Sequence, residues 1–62
     1  EQRLRTAYEI VLLLLTVDSY LTVRAWFIGM NPELDMASPA ETLRAGRFKD
    51  ALLAAHAFSV WG

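Results

Sequence analysis

The stretch Trp26-Phe27-Ile28-Gly29-Met30-Asn31-Pro32-Glu33-Leu34, closed by Ser38-Pro39-Ala40-Glu41, constrains this chain more than any other segment. An aromatic helix end runs into glycine and an Asn-Pro loop. Pro32 cannot continue a helix, and it pushes Asn31 into an extended conformation. Ser38 as N-cap, Pro39 at the first helical position and Glu41 at the third then form a capping box that restarts a helix. The chain therefore has to turn a corner between two helices. Gly29 is expected at the left-handed position just past the earlier one.

The flanking sequence predicts helices on both sides. The first spans residues 2–16, with Leu4, Ala7, Tyr8, Val11, Leu12 and Leu15 on one 3.6-residue stripe. From Ile10 to Leu15 it is apolar all round, which implies burial on more than one side. Asp18 or Ser19 caps a second helix over residues 20–28. Its two apolar faces, Val23/Trp26/Phe27/Met30 and Leu21/Ala25/Ile28, would place it at the centre of the core. A short third helix, 39–45, stops at Gly46. The last helix, 47–60, carries an inward stripe of Phe48, Ala51, Leu52 and Ala55. It also carries a second stripe of Leu53, Ala57, Val60 and Trp61. No strand-like alternation persists. The expected fold is all-α, a single small four-helix bundle, with the first helix under the second and the corner between the last two closing the far side.

A chain of 62 residues buries only about 60% of the surface its unfolded form exposes. With 55% hydrophobic residues it holds more apolar side chains than so small a core absorbs, and the excess reads as surface for a partner. No apolar run is long enough to span a membrane. With no cysteine there is neither disulfide nor thiolate metal site, which suits a reducing, cytoplasmic setting. The net charge of −1 argues against a domain that is basic overall.

No catalytic constellation is present: one histidine, no cysteine, no nucleophile elbow and no phosphate loop. The chain reads as a non-enzyme without metal or cofactor. Glu33 and Asp35 read as solvated loop charges, against a weak metal site. His56 is either a packed or surface residue or a partner contact. Trp26 and Phe27 are core anchors or, alternatively, contact a ligand directly. Trp61 either docks back on the first helix or is offered to a partner. Arg44, Arg47 and Lys49 cluster around the Gly46 turn, as solubility charges or as an anion site at a helix start. The two helices about Gly46 have a helix-turn-helix outline, although the last one lacks the Arg, Asn and Gln of a DNA-reading helix. Arg3, Arg5 and Glu9 read as an exposed face adjoining an upstream segment, since the chain begins without Met.

Thr22-Val23-Arg24-Ala25-Trp26-Phe27, Asn31-Pro32-Glu33-Leu34, Ser38-Pro39-Ala40-Glu41, Leu43, Gly46 and Ala51-Leu52-Leu53-Ala54-Ala55 together resemble the C-terminal domain of the Xre/MbcA/ParS antitoxin family. The likeness covers residues 3–58. It implies a small helical module following an N-terminal helix-turn-helix. In antitoxin members this module binds and blocks a RES-type toxin that consumes NAD, and the whole protein represses its own operon. Trp26, Asn31, Pro32, Leu34, Pro39, Leu43 and Gly46 match the family's scaffold positions. The family's toxin-facing region corresponds to residues 56–62, where the apolar Phe58-Ser59-Val60-Trp61-Gly62 departs from the family pattern. The expected partner surface is Leu53, His56, Ala57, Val60 and Trp61, for a toxin or a second copy. DNA would be read by the upstream domain or, in the alternative, by Arg44, Arg47 and Lys49 of a phage-type repressor.

Overall fold

A computed structural model describes residues 1–61, and Gly62, the end of the expected toxin-facing region, lies outside them. Among the described residues four helices follow one another: α1 (Gln2–Leu15), α2 (Tyr20–Ile28), α3 (Pro39–Arg44) and α4 (Phe48–Trp61). A 3-10 turn, Pro32–Leu34, interrupts the link between α2 and α3. The all-α bundle is as the periodicity implied, with each boundary within one residue. Among the described residues no helix is long and apolar enough to cross a membrane.

Local chemistry explains the boundaries. Glu1 caps α1 through its carboxylate, which accepts from the Arg3 and Leu4 amides. Ser19, rather than Asp18, caps α2, its hydroxyl accepting from the Thr22 amide at 3.4 Å. At α3 the capping box closes in both directions. Ser38 Oγ accepts from the Glu41 amide at 3.0 Å, and the Glu41 carboxylate accepts from the Ser38 amide at 2.9 Å. The helix ends in a Schellman motif: the Gly46 amide donates to Leu43 O (2.9 Å) and the Arg47 amide to Thr42 O (3.0 Å). Gly46 has φ of +82°, a left-handed conformation that favours glycine there.

The Ser38 hydrogen bonds, followed by the Arg44 charge, hold the Glu41 carboxyl below its ordinary value of 4.5. Because the folded value is the lower one, this bond supports the fold fully above pH 4.5 and is lost as pH falls further. Glu41→Gln keeps an acceptor without the titration. Its melting temperature is expected to vary less than the wild type's between pH 5 and pH 3, roughly the window in which a depressed carboxylate protonates. Equal acid limbs would remove this box from the account.

Gly29 does not occupy the left-handed position expected of it. Its backbone is extended, φ −84° and ψ 156°, and an added Cβ would lie 3.2 Å from the Ala25 carbonyl. The left-handed turn falls instead on Asp35 (φ 55°) and Met36 (φ 72°). There the Met36 amide donates to Asn31 O (2.9 Å), and Asn31 N–H reaches Ala37 O at 3.1 Å. Asn31 Oδ1 meanwhile accepts from the Glu33 amide at 2.9 Å and starts the 3-10 turn.

The core centres on Ile10, Leu14, Val23, Leu43, Ala51 and Ala55, with Trp26, Phe27, Phe48 and Phe58 packed around it. Two expectations are overturned. First, α1 packs mainly on α4 rather than under α2. Its buried face is Thr6, Ile10 and Leu14, while Leu4, Tyr8, Leu12 and Leu15 of the expected stripe face solvent. Residues 10–15 are apolar on every side, so periodicity alone does not choose a face. Packing of Ile10 and Leu14 against Ala51 and Ala55 of α4, where small side chains admit close approach, makes the choice. Second, α2 is not central. Val23 is its one buried residue, and Leu21 and Ile28 are exposed.

Candidate functional site

α4 has two faces with different duties. Ala51, Ala54 and Ala55 are buried against the bundle. One residue in 3.6 returns to a given side, so Ala57 and Trp61 lie beside Ala54, and Leu53, Val60 and His56 follow round the outer surface. Leu53, Val60 and Trp61 are exposed, Trp61 at 86%, which places it out in solvent instead of back on α1. The second stripe expected from the sequence is thus an apolar strip, open at its C-terminal end.

That strip runs into a groove of about 370 Å³ between α4 and the segment after α2. Trp26 forms its floor, with Phe58 and Ala54 on the α4 side and Pro32 on the loop side, and with Met30 and Trp61 as lips. Trp26 meets Phe27 edge-on (centroids 5.2 Å apart, planes at 83°) and Phe58 at a tilt (6.3 Å, 50°). The favoured edge-to-face contact fixes the indole plane, so one edge packs on the core while another lines the groove. Trp26 is therefore a core contact, as one of the two readings expected, and it also lines the groove. Phe27 packs against the core. Asn31, Pro32, Ser38, Pro39 and Glu41 hold the corner that sets the loop wall in place, and Gly46 makes the separate turn from α3 to α4.

Among the described residues Glu33 is the charged one lining this groove, and it is shared with an adjoining hollow that also contains Asp50 and Leu53. The basic turn lies elsewhere and is partly engaged. Arg47 Nε donates to Asp50 Oδ2 at 2.9 Å, and the Arg44 carbonyl accepts from Arg3 Nε at 3.2 Å. Arg44 and Lys49 are exposed. Asp50 sits in the first turn of α4, so the helix start already has a carboxylate beside it. Among the described residues no three His, Cys, Asp or Glu side chains come together as metal ligands, Glu33 and Asp35 included.

The sequence did not mark Met30, Asn31, Pro32, Glu33, Ala54 and Phe58 as groove residues. The spacing of Ala54, Ala57, Phe58 and Trp61 at three- and four-residue steps was the available signal. No family model, curated protein or solved structure matches the chain.

Proposed function

We propose that this chain is a non-catalytic module of a bacterial or phage DNA-binding regulator of antitoxin type, and that it works by protein–protein binding. The observation behind this reading is the exposed apolar strip of α4 opening into the Trp26 groove. Its volume of about 370 Å³ accommodates a few partner side chains. Tryptophan side chains that become enclosed at the centre of an interface are frequent anchors of protein binding. The partner is a RES-type toxin, as the family resemblance implies, and it seats on Ala57, Val60 and Trp61 with Leu53 and His56 at the edge. DNA reading belongs to a separate upstream helix-turn-helix.

Titration of the chain against a RES-type toxin encoded beside it tests this. Trp61→Ala is expected to weaken binding roughly 30-fold, a loss of about 2 kcal/mol at an anchor residue. Its melting temperature should stay put, because Trp61 is 86% exposed. A toxin that ignores the chain, or binds the variant equally well, sinks the assignment.

A further inference from the structure

α1 presents a second apolar surface, separate from the groove and turned away from the core. Leu4 (72% exposed), Tyr8 (65%) and Leu12 (50%) stand at four-residue steps along one ridge. Such ridges interdigitate with those of another helix. The spacing is symmetric about Tyr8. On one edge of the ridge lie Arg5 and Glu9, both exposed and neither in an ion pair among the described residues. The opposite edge carries Ala7 and Val11.

We propose that this ridge seats a second copy of the chain, with the two α1 helices antiparallel about a two-fold axis at Tyr8. A two-fold interface has to be complementary to itself. An antiparallel two-fold brings the same edge of both copies together in opposite directions. Arg5 then faces Glu9 of the second copy, and Leu4 meets Leu12 of the second copy. The charge pair is centred on residue 7 and the ridge on residue 8, an axial mismatch of about 3 Å. Both side chains span that easily. A parallel pair would instead set Arg5 and Glu9 against Ala7 and Val11. The charge pattern thus fits the chain itself in one orientation.

Five side chains per copy make a weak, transient interface, smaller than those of stable complexes, so pairing sets in at about 100 μM. Sedimentation equilibrium of the whole chain reads it. Arg5→Glu and Glu9→Arg are each expected to weaken pairing about tenfold, since each turns two attractions into repulsions. The double variant restores opposite charges and the wild-type constant. All these positions are exposed, so far-UV circular dichroism should be unchanged. A chain that stays monomeric at about 1 mM overturns the proposal, well above where such an interface associates. So do reversals that add without rescue, which would mark the ridge as the seat of another segment. Pairing lost in Trp61→Ala would assign it to the groove and overturn the proposal as well. Toxin binding is read separately, so either idea can fail alone.

Discussion

Leu14→Ala is expected to destabilise the domain by about 2–5 kcal/mol, the usual cost of removing a buried leucine and leaving a cavity. Leu14 is 0% exposed and lies among Ile10, Val23, Ala51 and Ala55. Across 62 residues, total stability at the ordinary value per residue is only about 3–9 kcal/mol. The melting temperature should fall by about 10 °C at the least. Leu12→Ala is the matched control: same residue type, same helix, two positions away, but half exposed. It should shift stability by no more than about 0.5 kcal/mol. Thermal melts of the pair followed by circular dichroism decide which face of α1 is inside. Equal losses, or a larger loss at Leu12, would mean that α1 is rotated from the arrangement described.

Trp26→Ala is expected to cost about 3 kcal/mol, the low end for a large aromatic because one edge of the ring is open to the groove. The loss combines contact with the core, the edge-on pairing with Phe27 and the tilted contact with Phe58. Trp26→Phe preserves an aromatic edge and should recover more than half of it. Urea unfolding separates the two tryptophans, because Trp61→Ala leaves the midpoint where it is. A midpoint unmoved by Trp26→Ala would show that the indole is a surface residue with no hold on the bundle.

Features set by neighbours in sequence are legible in the sequence itself. The Ser38–Glu41 box, the Pro39 start, the Gly46 stop and the span of α2 each depend on three or four adjacent residues. The orientation of α1 was not legible, because Ile10 to Leu15 offers apolar side chains in every direction and only α4 decides among them. The left-handed pair at Asp35 and Met36 carries no local signal for another reason: neither is glycine, and Gly29 is the nearby residue that favours such a conformation. The groove is a tertiary object. Phe58 and Met30 lie far apart in the chain, and the corner at Asn31-Pro32 together with the turn at Gly46 brings their segments side by side.

The make-up of the buried set has a thermal consequence. Three of its eight apolar members are alanines (Ala51, Ala54 and Ala55), and two of the largest fully enclosed side chains are Thr6 and Thr42. Little hydrocarbon is hydrated when such an interior opens, so the heat-capacity increment should fall below the usual value of about 12–15 cal/mol/K per residue. With an unfolding enthalpy of only about 40 kcal/mol at this size, the fold loses its order gradually over a wide span of temperature.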